Sequence, residues 1–444
     1  MIPSRKPVST SYLRIAELAA SNPQLAFTSL NQYLDESSLH EAWGRTRKQG
    51  APGVDGTTMQ AYGEMLADRA PSLIAEAKSG RYKAPPVRRV YLPKPGSSEQ
   101  RPIGIPTVED RVLQRAVLGI LEPIYEQDFL DCSYGFRPGR SAHQALAAVR
   151  QSCMAMGTCW VLDLDIRRYF DTIDHRHLRS ILDQRVRDGV IRRLIDKWLK
   201  AGVLEDNTLT RSTEGSPQGG VISPLLANVY LHHVLDLWVE YTVKPRLRGR
   251  VELIRYADDS VLVFQHESDA RRVMAVIGKR FERYGLTLHP DKTRLQRFGP
   301  DTGDGRPRDA HEDKPRSFDF LGFTLHWARS TYGKWYVGAK TASSRFTRAL
   351  RKIHEWCRDN RHLPMAEQHK GLASRLRGHY AYYGVRGNSR RLNDFLYEVG
   401  NRWRYWLNRR GRDRRGRHAG MPWPRFRAYL RLHPLPYGRI VATC

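Results

Sequence analysis

Residues 251–264 read VELIRYADDSVLVF. Two apolar runs rich in β-formers, Val251 to Ile254 and Val261 to Phe264, flank Tyr256-Ala257-Asp258-Asp259, so the stretch predicts a β-hairpin with two adjacent acids at a tight turn. Neighbouring carboxylates repel each other. The repulsion costs little on a solvated surface, and it is relieved by divalent cations, since hard carboxylate oxygens are what Mg²⁺ prefers. A Y-x-D-D tetrapeptide taken alone is a weak signal.

Working outward, residues 160–166 read WVLDLDI, a second strand on which Asp163 and Asp165 alternate and therefore share a face. A carboxylate set among other carboxylates needs a metal or a proton to neutralise it; the plainer reading is a strand with a polar outer face. Phosphoryl transfer to a primer 3′-hydroxyl calls for a pair of metals about 4 Å apart, a clamp that three acids from two strands could build. Phe170, five residues past Asp165, is placed to pack under an incoming sugar and clash with a 2′-hydroxyl, which would favour deoxynucleotides.

Around this centre the first eighty residues read as helices joined by short turns, with turn-rich GAPGVDGTT at 50–58. Residues 87–106, VRRVYLPKPGSSEQRPIGIP, carry hairpin chemistry, and helical periodicity follows from Glu109 to Leu121 and again after Ser141. Further helical segments include HLRSILDQRV and the stretch after Pro224. Residues 299–316 are polar, rich in Gly and Pro and aperiodic, hence a surface loop or insertion. Beyond Trp335 the text turns helical and basic and ends in an arginine- and aromatic-rich tail with little periodicity.

Composition limits the function classes. The chain has 444 residues, 40% of them apolar, enough for packed cores. Lys and Arg outnumber Asp and Glu 74 to 46, a formal charge of +28 that exceeds what solubility needs and suits a polyanionic partner. The five cysteines form no C-x-x-C pair, so neither a disulfide framework nor a zinc knuckle is expected. No run approaches the ~18 apolar residues of a membrane span, and the N-terminus lacks an export signal; a cytoplasmic, nucleoid-associated protein is expected.

In order along the chain, LPKPGSSEQRPIGIPTVEDRVLQRAV, SYGFRPGRSAHQAL, LDLDIRRYFDTIDH, EGSPQGGVISPLLANVYL, IRYADDSVLVF, GLTLHPDKT and FDFLGFTL resemble the successive blocks of a bacterial group II intron reverse transcriptase/maturase. The resemblance covers residues 40 to 440. It implies an α+β right-hand polymerase fold with an N-terminal extension and start of fingers (1–85), fingers and palm (86–330), a helical thumb that doubles as maturase domain (331–410) and a short basic DNA-binding tail (411–444). It implies RNA-directed DNA polymerase activity, with Asp165, Asp258 and Asp259 as catalytic carboxylates and Ile166 beside them in the metal-binding set. Two Mg²⁺ ions are implied, with Mn²⁺ a possible substitute.

The same resemblance assigns Lys94 and Arg101, and with less support Arg137, to the triphosphate. Gln218 and Gly219, in Ser216-Pro217-Gln218-Gly219-Gly220, lie under the nascent base pair; Lys292 gives a proton to the leaving pyrophosphate. Phe320-Leu321-Gly322-Phe323 resembles the primer grip, its plainer reading being a core strand. Tyr380, Tyr382 and Tyr383 are expected in the thumb core rather than as stacking platforms. From Arg402 to Arg431 eleven arginines meet a single acid, Asp413, with Trp403, Tyr405, Trp406, Trp423 and Phe426 interleaved, a composition that suits a backbone-tracking surface.

Implied partners are group II intron RNA, an RNA template, a DNA primer or target, and dNTPs, with the chain acting as monomer or dimer in RNA splicing and as part of a mobile element. The HNH endonuclease of some longer relatives is not expected: His232-His233 has no metal-spaced partner, so a nick made elsewhere would prime synthesis. Three other readings stay open: a splicing cofactor with little polymerase activity, a domesticated relative serving DNA repair, phage defence or CRISPR adaptation, and an RNA-copying RNA polymerase.

Overall fold

The computed structural model describes residues 10–93, 100–205, 208–210, 219–300, 317–410 and 420–438. The chain divides into two compact units, Met1–Ser141 with Trp160–Gln296, and Ala142–Cys159 with Arg297–Cys444. Strands in chain order are β1 (Val87–Pro93), β2 (Gln100–Ile105), β3 (Cys159–Leu164), β4 (Val203–Glu205), β5 (Thr208–Thr210), β6 (Val251–Tyr256), β7 (Asp259–Phe264), β8 (Arg294–Phe298), β9 (Ser317–Phe320), β10 (Phe323–Arg329) and β11 (Trp335–Thr341).

In the first unit β1 and β2 form the hairpin read from the sequence, registered from Arg88↔Ile105 to Pro93↔Gln100, in a sheet of order β2-β1-β4-β5. A second sheet has the order β6-β7-β3-β8. Helices begin where a short polar side chain satisfies the first free amides: Asp35 caps Glu36–Arg45 in a reciprocal box with Ser38, and Thr58 and Thr107 cap Met59–Ser79 and Val108–Asp128. Val112, Leu113, Val117 and Ile120 project from the last of these into one core with Leu162 and Leu164 of β3, Leu226, and Leu262 and Phe264 of β7. Each such side chain contributes about 1.5–3 kcal/mol by burial, which makes the sheet a fixed platform.

In the second unit β9, β10 and β11 form an antiparallel sheet, followed by helices Ser343–Asp359, Met365–Tyr383, Ser389–Leu407 and Trp423–Leu432. The helix Ala142–Met156 belongs here because it lies on β11, where buried Arg150 Nε donates to Val337 O at 2.8 Å. The sheet of residues 317–341 belongs with the helices that follow it.

Two expectations are corrected. The chain does not turn helical at Trp335; β11 runs to Thr341, its alternate residues Val337 and Ala339 fully buried, before the helix begins at Ser343. Nor is the aromatic set after Arg402 all surface. Trp403 and Phe426 are fully buried among Leu376, Phe395 and Leu407, while Tyr405 and Trp423 remain exposed and carry Arg409 and Arg404 over their rings at 3.5 and 4.1 Å. The 299–316 insertion lies almost wholly outside the described residues.

Candidate active site

Antiparallel pairing carries Tyr256↔Asp259 at the end of β6 and β7, leaving Ala257 and Asp258 as a two-residue turn. Ala257 has φ +58° and Asp258 does not share the left-handed region, the φ pattern of a type II′ turn, which follows the right-handed twist of the flanking strands. Holding an alanine there costs on the order of 1 kcal/mol, so the turn must be held by its surroundings.

On the other side of β7, β3 pairs from Trp160↔Phe264 to Leu164↔Ser260. One residue further, that register sets Asp165 opposite Asp259. The register thus brings Asp165 and the Asp258-Asp259 turn to the same end of the sheet, with Asp165 one-third exposed, Asp258 half-buried and Asp259 exposed. Asp163 pairs with Val261 further in.

Lys292 lies here as well. It follows the extended segment that pairs Leu288 with Ile166, and its Nζ donates to Asp165 Oδ2 at 3.1 Å, so an ammonium supplies the countercharge. Ile166 is buried and its side chain offers no ligand; the bridge uses the carbonyl of Asp165 and the amide of Arg167, leaving the main-chain oxygen of Ile166 out of that pairing. Among the described residues no three His, Cys, Asp or Glu side chains converge closely enough to enclose an ion as they stand. The donor chemistry nevertheless fits Mg²⁺, which keeps several waters and is commonly held by one or two carboxylates together with substrate phosphates.

Phe170 sits on a short 3₁₀ turn, Tyr169–Asp171, entered through Arg168 at φ +49°. Tyr169 fixes that turn by donating its hydroxyl to Ala227 O at 2.6 Å, and Phe170 packs half-buried against the core 5.4 Å from the Tyr169 ring. Gly219 has φ +122°, and a Cβ there would collide with the carbonyl oxygen of Gly104 on β2, so only glycine allows the loop to cross the strand. Just after it Gln114 Oε1 accepts from Val221 N at 2.8 Å.

Lys94, the side chain of Arg101, and Gln218 lie outside the described residues; the main chain of Arg101 pairs with Leu92. Arg137 is buried, and all three guanidinium nitrogens are taken, by the Glu126 carboxylate and the carbonyls of Leu130 and Ser133. It ties the Gly135 loop to helix Val108–Asp128.

The reading of the sequence missed what lies beneath the turn. Arg255, on β6, and Asp236 are both fully buried and form a two-pronged ion pair at 2.8 and 2.6 Å. Burial by itself would raise the Asp236 carboxyl; the Arg255 guanidinium and the neighbouring His232 together more than offset it and hold the group below the usual carboxylate range. An arginine inside an apolar β-run was the available signal.

A profile of the family described as reverse transcriptase (RNA-dependent DNA polymerase) matches residues 92–325. The chain is 35% identical over 369 residues to Protein YkfC of Escherichia coli (strain K12), a match covering 74% of this chain and 91% of that protein. It is 37% identical over 238 residues to Group II intron-encoded protein LtrA of Lactococcus lactis subsp. cremoris, covering 53% of this chain and 39% of LtrA. Over 180 residues it is 31% identical to Nuclear intron maturase 2, mitochondrial, of Arabidopsis thaliana, covering 32% of this chain and 24% of that protein.

Proposed function

The chain belongs to the reverse transcriptase family, and from that premise we propose that it copies RNA into DNA at the Asp165, Asp258 and Asp259 carboxylates as a polymerase of group II intron type. The observation that carries this reading is the strand register that sets Asp165 opposite Asp259 at the accessible end of β3 and β7, inside the segment that matches the family. On this reading the β1–β2 hairpin belongs to the fingers, the β6-β7-β3-β8 sheet to the palm and the helices after Thr341 to the thumb.

Two divalent ions, Mg²⁺ or Mn²⁺, would supply acidification of the primer 3′-hydroxyl and charge neutralisation on the triphosphate. Asp165, Asp258 and Asp259 would hold them through carboxylate oxygens, and Ile166 could contribute only its main-chain oxygen. Lys292, already on Asp165, is the proton donor for the leaving pyrophosphate once phosphate oxygens compete for its ammonium. Lys94 and Arg101 grip the triphosphate, Gln218 and Gly219 underlie the nascent pair, and Phe170 excludes a 2′-hydroxyl.

A second role, binding and folding intron RNA, is supported by relatives whose names include an intron-encoded protein and an intron maturase, and by the exposed arginine–aromatic pairs of the second unit. Primer extension on an RNA template with dNTPs and Mg²⁺ tests the polymerase reading. Wild type should extend and Asp258→Ala should not; an active Asp258→Ala, or equal use of ribonucleotides, would overturn it. Retention of the RNA flanking the gene, in preference to an unrelated structured RNA, tests the second role.

A further inference from the structure

Beneath the two-aspartate turn one guanidinium gathers four connections. Arg255 Nε and Nη2 donate to Asp236, Nη1 donates to Asn228 Oδ1 at 2.9 Å, and the same Nη1 donates to the carbonyl oxygen of Ala257 at 3.0 Å. Asn228 Nδ2 in turn donates to Gly135 O at 2.7 Å. Gly135 lies so close to the turn that a Cβ there would fall on the amide of Ala257. Main-chain bonds from Arg255 N to Cys132 O and from Tyr134 N to Arg255 O, each 2.8 Å, tie the same loop to β6.

The helix that supplies Asn228 and Asp236 is irregular in a way that serves this arrangement. It runs α-helical over Ser223–Leu231 and widens to a π-helix over His232–Asp236. In a regular α-helix two residues eight apart sit about 80° out of phase. A π-segment absorbs one extra residue, so Asn228 and Asp236 stand as seven-apart residues would, about 20° out of phase, and reach one guanidinium together.

The Ala257 carbonyl belongs to the peptide that leads into Asp258. Fixing that oxygen fixes the peptide plane and with it the direction in which the Asp258 side chain leaves the turn, at a point where Ala257 is strained enough to relax otherwise. We propose that Arg255, Asp236 and Asn228 form a positioning unit that aims the Asp258 carboxylate at the metal-binding end of the sheet. The proposal rests on the polymerase reading for its effect on catalysis, but its geometric claim concerns how tightly the turn presents its carboxylates to a cation. All three are fully buried.

The test separates aim from stability. Arg255→Met alone leaves the Asp236 carboxylate buried without its guanidinium and is expected to unfold readily. The double variant Arg255→Met with Asp236→Leu removes both charges and is expected to regain the wild-type melting temperature while leaving the Ala257 carbonyl without its donor. Asn228→Ala, which removes no charge, carries the same test should the double variant fail to fold.

Each protein is read three ways: melting temperature, Mn²⁺ affinity of the full chain measured by electron paramagnetic resonance of free Mn²⁺, and the kcat and KM of primer extension. A folded variant is expected to bind Mn²⁺ about 10-fold more weakly and to lose 10- to 100-fold in kcat, as groups behind metal ligands do, with KM for dNTP within about twofold. A folded variant whose Mn²⁺ affinity and kcat both match wild type overturns the proposal. An inactive wild type would overturn the polymerase reading instead, and the Mn²⁺ comparison would still decide the positioning claim.

Discussion

Two hairpin turns in this protein are built alike and braced differently. Tyr256-Ala257-Asp258-Asp259 closes β6 on β7, and Phe320-Leu321-Gly322-Phe323 closes β9 on β10, each with two central residues and a non-glycine at positive φ, Ala257 at +58° and Leu321 at +50°. In each, one side chain donates to the carbonyl of the first central residue: Arg255 to Ala257 O, and the Tyr382 hydroxyl to Leu321 O at 2.8 Å. The first brace is a buried ion pair. The second is aromatic, with Phe323 5.6 Å from the Tyr382 ring and 5.2 Å from the Tyr383 ring. The turn that carries carboxylates is held by a buried charge pair and its directional bonds, whereas the other is held by one neutral hydrogen bond and aromatic packing.

The sharpest way to break the comparison is chemical. Asp258→Asn should leave folding intact and cut RNA-templated DNA synthesis by ~10³-fold, the rate equivalent of several kcal/mol of lost charge stabilisation. Gly322→Ala, strained at φ +80° and close to Tyr383, should instead lower the melting temperature and weaken primer use without abolishing synthesis. Equal losses in the two, read by primer extension beside circular dichroism, would mean the turns do not divide the work. Next in size, Phe170→Val should raise ribonucleotide incorporation by about 10- to 100-fold, the range one apolar contact can discriminate; competition between dNTP and rNTP measures it.

Smaller effects sharpen the picture. Tyr382→Phe removes one neutral hydrogen bond and should cost about 1 kcal/mol in denaturant unfolding, with extension rates within about fivefold of wild type. Ala257→Gly and Leu321→Gly both relieve left-handed strain and should change stability by under ~1 kcal/mol, yet only Ala257→Gly should slow synthesis. The smallest effect is acid-dependent. Asp236 has its folded pKa depressed, so its contribution is present above the unfolded value of about 4 and is lost as pH falls through the folded value. Melting temperatures of wild type and the Arg255→Met, Asp236→Leu variant, matched near neutral pH, should therefore separate on acidification, the wild type falling below the variant as pH drops below about 4.

Much of this was readable in advance. The hairpin of residues 251–264, the strand carrying Asp163 and Asp165, the β1–β2 hairpin and the long helices follow from local periodicity and turn chemistry, which act over a few residues. The partners of Arg137 were not readable, because a basic residue in a glycine-rich loop has the same text whether it faces solvent or, as here, Glu126 and two carbonyls. Trp403 and Phe426 were misread because the helices at 389–407 and 423–432 each turn an aromatic residue inside, a fact that composition averages away. Arg255 and Asp236 went unnoticed because their pairing spans 19 residues and depends on a π-helical register.

The amino-acid order by itself determined which residue types could do chemistry here: adjacent acids at a strand end, a third acid on a neighbouring strand, and a charge suited to a polyanion. Only the tertiary structure decided which charged groups face solvent and which spend themselves inside, because the cost of burying a charge depends on a partner that sequence distance does not reveal.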